Sequence, residues 1–155
     1  NEVTDADIRA LIAGTTVENP EGFHFDDLQL TTNDDHTITA DVQLVNGDGE
    51  TINCVAEGKG SVEAIFNAID QFFNQSVQLL SYNIEAVTDG IDSQARVLVT
   101  VENTDTDTIF NSSGIDFDVL KASAIAYIHA NTFVQKENAG EIGHQVSYRD
   151  LPANN

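Results

Sequence analysis

The chain has 155 residues, of which 41% are hydrophobic, so it can form one domain with a packed core. Asp and Glu number 26 against 6 Lys and Arg, which gives a net charge of -20. Nucleic acids and anionic membrane surfaces are bound by clustered basic residues, and this balance argues against both partners. The sequence contains no apolar run long enough to span a membrane and no signal-peptide pattern. The single cysteine, Cys54, forms no internal disulfide, which predicts a cytoplasmic protein and a small buried thiol.

The first residues differ in pattern from the rest of the chain. Thr4 can cap a short helix whose apolar stripe starts at Ile8. Pro20-Glu21-Gly22 then breaks the chain. Because the sequence begins with Asn1 and contains no Met, we expect a piece of a longer protein. Residues 1–22 are predicted to be a linker helix and turn that join this domain to a missing N-terminal part.

From Phe23 the apolar residues follow the period of two that is typical of β-strands. A first strand has a slip near Asp26-Asp27 and carries Phe23, Phe25, Leu28 and Leu30. The turn Asn46-Gly47-Asp48-Gly49 is a hairpin signal. It joins a strand over 37–45 to another over 50–57. Residues 61–73 change to a helical period, which predicts an amphipathic helix.

The same order of elements recurs about 55 residues later, which is the signature of an internal repeat. Strands are predicted around 80–86 and 97–101, with a hairpin loop at 103–107 and a third strand from Thr108. Ser112-Ser113-Gly114 is predicted to turn into a second helix.

The predicted fold is therefore α+β, with two pseudo-symmetric βββα repeats over residues 23–134. Antiparallel sheets carry helices on one face, and a short N-terminal helix or linker precedes them. The two repeats are expected to pack around a pseudo-twofold axis. Residues 135–155 are a C-terminal tail without clear period, in which 143–148 can form a strand.

The residues that carry chemistry do not form a catalytic pattern. Ser, His and Asp occur without a nucleophile motif. The acidic loops 46–50 and 105–107 lack the spacing of a calcium-binding loop and are predicted to be hairpin turns. We therefore expect no catalytic residue and no metal site in this chain. None of the histidines stands at metal-ligand spacing: His24, His36, His129 and His144.

The turn Gly58-Lys59-Gly60-Ser61 opens the first predicted helix, with Ser61 as an acceptable N-cap. Gly58 and Gly60 can take positive φ and let a ligand approach the backbone. The unpaired N–H groups of a helix start suit a carboxylate, although this motif alone more often marks a plain strand-to-helix turn. Gly114-Ile115-Asp116 is the equivalent turn of the second repeat, where Asp116 can cap the helix and face an ammonium group. Two such helix starts could hold a zwitterion.

Three motifs in order carry a family resemblance over about half the chain. Residues 58–64, GKGSVEA, resemble the pattern G-x-G-P-V-D-A. Residues 80–92 are similar to L-x-D-Y-x-x-x-A-V-T-x-G-x-D-A. Residues 118–127 resemble D-I-I-x-A-S-x-x-A-Y, and Asn131 fits a closing Asn. Together they resemble the C-terminal regulatory domain of 2-isopropylmalate synthase, which citramalate synthase shares.

The resemblance implies a longer enzyme whose (β/α)8 barrel condenses acetyl-CoA with 2-oxoisovalerate and uses a divalent metal. The domain itself would need no cofactor. It would bind leucine, lower the activity of the parent barrel, and form a homodimer with the effector close to the dimer interface. Two alternatives stay open, namely an isoleucine-sensing domain of citramalate synthase and a dimerisation module with a decayed effector site.

The resemblance also implies the residues of the effector site. The first side of the pocket would consist of Gly58, Gly60, Ser61 and Val62. The floor would consist of Leu79, Tyr82 and Ala86. The second glycine turn would add Ile115 and Asp116. This chain departs from the family pattern at Ser61, which replaces Pro, at Ser81, which replaces Asp, and at Ser112-Ser113-Gly114, which replaces a turn richer in glycine.

Overall fold

The computed structural model describes residues 20–88 and 93–142. Its elements follow the order β1 (His24–Thr32), β2 (Ile38–Val45), β3 (Thr51–Gly58), α1 (Ser61–Phe73), β4 (Val77–Thr88), β5 (Ser93–Asn103), β6 (Thr108–Asp116) and α2 (Val119–Asn138). The strands pair antiparallel in two sheets, β1-β2-β3 and β4-β5-β6. The predicted α+β fold of two βββα repeats is confirmed. The helix predicted in the first 19 residues and the strand predicted at 143–148 lie outside the described residues.

The core lies between the helices and one face of each sheet. The central strands supply its middle, because Ala40, Val42 and Leu44 of β2 and Val97, Val99 and Val101 of β5 are almost fully buried. Alternate residues of a strand point to opposite faces, so these residues share the helix-covered side. The buried side chains of both repeats belong to one continuous cluster, and the repeats therefore form one domain.

Both edge strands that begin a repeat contain a register shift. The shift in β1 lies between Phe25 and Asp27, which confirms the predicted slip, and the shift in β4 lies between Leu79 and Ser81. An extra residue of this kind twists a strand locally and hinders another strand from pairing with the free edge.

The first acidic loop is a hairpin turn, as predicted. Asn46 Oδ1 accepts hydrogen bonds from the backbone N–H groups of Asp48 and Glu50, each at 2.9 Å. Gly49 has a φ of 84°, a left-handed conformation that favours glycine. The side chain of Asn46 and the glycine together close the turn between β2 and β3.

The predicted turn at Ser112-Ser113-Gly114 is wrong, because these residues lie within β6. Ser112 Oγ donates to the Ala126 carbonyl oxygen of α2 at 2.8 Å. A Cβ built at Gly114 would lie 2.7 Å from the Ala126 nitrogen. Small residues are present here because α2 lies directly on the strand. The sequence suggested a turn because turns are also rich in serine and glycine.

Helix α2 continues to Asn138, four residues into the segment predicted to be a tail. The polar side chains of its later turns form hydrogen bonds within the protein. Asn131 Nδ2 and Thr132 Oγ1 donate to the carbonyl oxygens one turn earlier, at 3.0 and 2.7 Å. Glu137 Oε2 accepts from Thr108 Oγ1 at 2.7 Å. Buried polar side chains hide the helical period of this stretch, which is why the sequence pattern ends too early.

Candidate functional site

Four side chains meet where the two helices approach β4, and we name them the Tyr82 cluster: Phe66 of α1, Tyr82 of β4, and Ser123 and Tyr127 of α2. The Phe66 ring stacks on Tyr127 with a centroid separation of 4.1 Å and meets Tyr82 edge-on at 5.8 Å. Tyr82 Oη lies 2.8 Å from Ser123 Oγ. Because the Ser123 hydroxyl donates to the Val119 carbonyl oxygen, Tyr82 is the donor. The cluster therefore connects α1 of the first repeat to α2 and β4 of the second repeat.

Tyr127 links the cluster to the side chain of Asp70 on α1. Tyr127 Oη donates to Asp70 Oδ1 at 2.7 Å. Burial raises the pKa of Tyr127 well above its ordinary value of 10.0, and the hydrogen bond to Asp70 adds to the rise. Burial also raises the pKa of Asp70, while the hydrogen bond from Tyr127 opposes that rise. Tyr127 is consequently a neutral hydrogen-bond donor that links α2 to α1.

The start of α1 differs from the prediction in two respects. Gly58 and Gly60 do not have positive φ, since Gly60 is extended at φ -138° and the left-handed glycines of the described residues lie elsewhere. Gly60 is the N-cap and Ser61 is the first helical residue, so the predicted N-cap at Ser61 is wrong. Lys59 N–H donates to Glu63 Oε1 at 3.0 Å. This bond holds the loop that leads into α1. No side chain caps the helix at Gly60 itself.

The glycine of β3 has a packing role. A Cβ at Gly58 would stand 2.5 Å from the backbone nitrogen of Ala64, far inside normal contact distance. Glycine therefore lets the first turn of α1 lie against the end of β3. By contrast, a Cβ at Gly60 would meet nothing within 4 Å. The two glycines of one motif thus serve different purposes, and only Gly60 borders open space.

The second predicted glycine turn is also corrected. Gly114, Ile115 and Asp116 end strand β6, and the N-cap of α2 is Asp118, whose carboxylate accepts from Leu120 N–H at 2.8 Å. Asp116 Oδ2 accepts from Asp118 N–H at 2.8 Å. Asp116 therefore shapes the approach to the helix, one step before the residue that caps it. The prediction placed the cap two residues too early because both positions carry aspartate.

Strand pairing decides which predicted residues share a face. Opposite β5, Leu79, Tyr82 and Ala86 pair with Val101, Val99 and Ala95, so they lie on the helix side of the sheet. Asp116 also pairs with Ala95, which places Asp116 and Ala86 in one cross-strand row. Ile115 pairs with Arg96 and lies on the opposite face.

The helix start and β4 are brought together through one side chain. Val62 precedes Phe66 by one helical turn, so both project from the same side of α1. Phe66 in turn contacts Tyr82. Of the predicted pocket residues, the structure thus relates Val62 to Tyr82 and Ala86 to Asp116. It assigns Gly58 to packing and separates Ile115 from the others.

Sequence reasoning missed Phe66, Ser123, Tyr127 and Asp70 as members of this region. Ser123 and Tyr127 are four residues apart within a motif already noted, and that spacing puts both on one side of a helix. The sequence alone could therefore have placed Ser123 and Tyr127 together. Nothing local indicated that Phe66 and Asp70 would face Tyr127, since this depends on how α1 and α2 pack.

Two further reactive side chains, those of His129 and Cys54, are buried in packing positions. His129 lies on α2, as predicted, and its Nδ1 is 3.0 Å from the Ser113 carbonyl oxygen. Burial lowers the pKa of His129. Burial raises the pKa of the Cys54 thiol to about 11, and its predicted burial is confirmed.

Within residues 20–88 and 93–142, no group of three His, Cys, Asp or Glu side chains could hold a metal ion. Neither α1 nor α2 has the length and apolarity that would be needed to cross a bilayer.

Two βββα units that share one core, with their helices joined through the Tyr82 cluster, define a double-repeat α+β domain. A sequence model of the LeuA allosteric (dimerisation) domain family matches residues 2–134. The chain belongs to this family.

Curated relatives bear the same name in several bacteria. The chain is 71% identical over 154 residues to the 2-isopropylmalate synthase of Streptococcus gallolyticus, a match that covers 99% of this chain and 30% of the relative. It is 54% identical over 149 residues to that of Lactococcus lactis subsp. lactis, covering 96% and 28%. It is 41% identical over 130 residues to that of Listeria monocytogenes serotype 4b, covering 84% and 25%. The chain thus spans less than a third of the length of these relatives.

Proposed function

We propose that this chain is the leucine-sensing and dimerising regulatory domain of a 2-isopropylmalate synthase, in which bound leucine lowers the activity of a separate catalytic barrel. The family match and the names of the relatives support this proposal. A binding role also agrees with the chemistry of the described residues, where Cys54 and His129 are buried in packing positions.

The difference between the two helix starts carries the proposal. The start of α2 is closed by the Asp118 carboxylate, whereas α1 has Gly60 at its N-cap and no capping side chain. The first N–H groups of a helix lack intrahelical acceptors and favour an anion. A leucine carboxylate would fill the place at α1 that Asp118 fills at α2.

The other two parts of leucine have counterparts nearby. The Ala86–Ala95–Asp116 row brings one carboxylate to the helix side of the second sheet, and we assign the ammonium group to Asp116. The side chain would lie against Val62 and the aromatic edge of Tyr82. Both are partly buried and pack against the core.

The Tyr82 cluster also supplies a route for coupling. Its hydrogen bonds and ring contacts connect β4, α1 and α2. A ligand that contacts Tyr82 would therefore bias how the two repeats pack, and allosteric coupling of this kind is typically about 1–3 kcal/mol. In the full enzyme we expect leucine to favour a domain arrangement in which the barrel is less active.

Isothermal titration of the chain with leucine tests the proposal. We expect saturable binding of leucine that the Gly60→Val variant weakens at least tenfold, since valine would occupy the open space at the helix start. Gly47→Val is the matched control. Gly47 also borders open space, but it lies in the hairpin at the other end of β3, and its substitution should leave the affinity unchanged.

Three outcomes would contradict the proposal in different ways. Tighter binding of isoleucine than of leucine would favour the citramalate synthase alternative. A dimer that binds neither amino acid would favour a dimerisation module without an effector. Equal affinities of the Gly60→Val and Gly47→Val variants for leucine would place the site away from the start of α1.

A further inference from the structure

The segment that leads into β1 lies against α2. Gly22 has a φ of 132°, and a Cβ built there would lie 3.2 Å from Thr132 Cγ2 and 3.8 Å from Lys136 Cε. These two side chains are one turn apart on the same side of α2. Pro20, two residues earlier, is buried. The chain is therefore already packed against the domain before its first strand begins.

Phe23 joins this segment to the C-terminal end of α1. Its ring meets the rings of Phe72 and Phe73 edge-on, with a centroid separation of 5.3 Å in each case. Those two rings meet each other at 5.0 Å. Edge-on aromatic pairs are more favourable than their buried area alone accounts for. The three rings, which we name the Phe23 contact, therefore fix the entering chain to the last turn of α1.

One side of α1 runs from the proposed leucine site to the Phe23 contact. Side chains three or four residues apart share a side of a helix, and four of them follow at this spacing: Val62, Phe66, Asp70 and Phe73. The middle two contact Tyr127 of α2. The 13 residues of α1 span about 20 Å. Because its backbone is hydrogen-bonded along its length, a packed helix shifts as one body, and a movement at its start reaches its end.

The proposed ligand would bridge α1 and the second sheet. Its carboxylate is assigned to the helix start at Gly60, and its ammonium group to Asp116 at the end of β6. Binding therefore depends on where α1 lies relative to that sheet, and a ligand favours the arrangement that it binds more tightly. In the proposed enzyme the barrel precedes this domain, so the covalent connection to it passes through Pro20–Phe23.

We propose that the Phe23 contact carries the effect of bound leucine out of this domain, because it couples the position of α1 to the segment that leads to the barrel. This inference rests on the proposed function and assigns its output to particular side chains. Phe23 is a positioning residue in this scheme, since it contacts no ligand and acts through α1.

Hydrogen exchange of the 155-residue chain tests the coupling through the Phe23→Ala variant. In the wild type, saturating leucine should slow amide exchange over residues 21–25, because a fixed α1 holds the entering chain. In Phe23→Ala this effect should be lost, while calorimetry shows a leucine affinity changed by less than about tenfold. Phe133→Ala is the matched control and should keep the effect. Phe133 is also partly buried, and it stacks on Phe110 at 5.5 Å, away from the Phe23 contact.

The same variants in the full-length enzyme separate binding from inhibition. Saturating leucine should lower the activity of the wild type and of Phe133→Ala about tenfold, and that of Phe23→Ala less than about twofold. Phe23→Leu keeps an apolar side chain in the contact and should regain part of the inhibition. Far-ultraviolet circular dichroism checks the fold of each variant. If Phe23→Ala did not fold, Phe23→Leu compared with Phe133→Leu would give the same test with a smaller change.

A wild type that binds leucine without any change of exchange over residues 21–25 would overturn this inference and leave the leucine-sensing function intact. Equal inhibition of the wild type and Phe23→Ala would do the same. Equal losses in Phe23→Ala and Phe133→Ala would assign the effect to a general loosening of the core and contradict the inference. A wild type that does not bind leucine would overturn the proposed function together with the inference.

Discussion

Replacement of Gly114 by alanine tests how closely α2 lies on β6. The new Cβ would stand 2.7 Å from the Ala126 nitrogen and 2.8 Å from Ile125 Cβ. Comfortable contacts between carbon atoms are about 3.5–4.0 Å, so α2 must move away by roughly 1 Å. Two of the obstructing neighbours are backbone atoms of α2, and these cannot swing aside as a side-chain end can.

The cost follows from what α2 buries. Eleven of its residues are buried, and a shift of the helix loosens their contacts together. Overpacking of a core typically costs 1–3 kcal/mol, and we expect Gly114→Ala to lie near the upper end, at about 3 kcal/mol. For a chain of this size each kcal/mol lowers the melting temperature by about 2–4 °C, so the expected decrease is about 6–12 °C.

Thermal unfolding followed by circular dichroism measures this decrease. Gly47→Ala is the control, because a Cβ there meets nothing within 4 Å and φ at Gly47 is not positive. It should melt at or slightly above the wild-type temperature, since alanine restricts the unfolded chain more than glycine does. If Gly114→Ala melted within about 2 °C of the wild type, a shift far below that expected from overpacking, the close approach of α2 to β6 would be refuted.

Two further predictions follow from buried groups. Burial raises the pKa of Asp70 above 3.8, so the stability that its protonated form contributes is lost as pH rises through the folded-state pKa. Asp70→Asn keeps an acceptor for Tyr127, and its stability relative to the wild type should increase between about pH 4 and 7 in urea titrations; a constant difference would contradict this. Burial raises the pKa of Cys54 to about 11, so iodoacetamide at about pH 8 should alkylate the native chain far more slowly than the urea-unfolded chain. Equal rates would show an accessible thiolate.

The candidate site was only partly predictable. Tyr82 was identified from a motif, and strand pairing through Ala95 places Ala86 and Asp116 in one cross-strand row. Phe66 and Asp70 were missed because their neighbour Tyr127 belongs to the other repeat, more than 50 positions away. A pattern of local residues carries no information on which side of α1 will meet α2.

The sequence by itself determined the existence and order of the strands β1 to β6, the helix from Ser61 to Phe73 and the repetition of βββα, but not the full extent of β4, β5 and β6. These features depend on periods of 2 and 3.6 residues that are set by the backbone and displayed by neighbouring apolar side chains. The slip near Asp26-Asp27 is of the same kind, since a change of phase in the alternation marks a bulge. Such patterns can be found without knowledge of any partner element.

Only the tertiary structure decided what the small and polar residues do. Ser112 and Gly114 have the composition of a turn, yet they form a strand because α2 lies on them. Gly58 and Gly60 belong to one motif, yet Gly58 permits packing and Gly60 caps a helix. In each case the reason is a contact between elements distant in sequence, and a local pattern does not contain it.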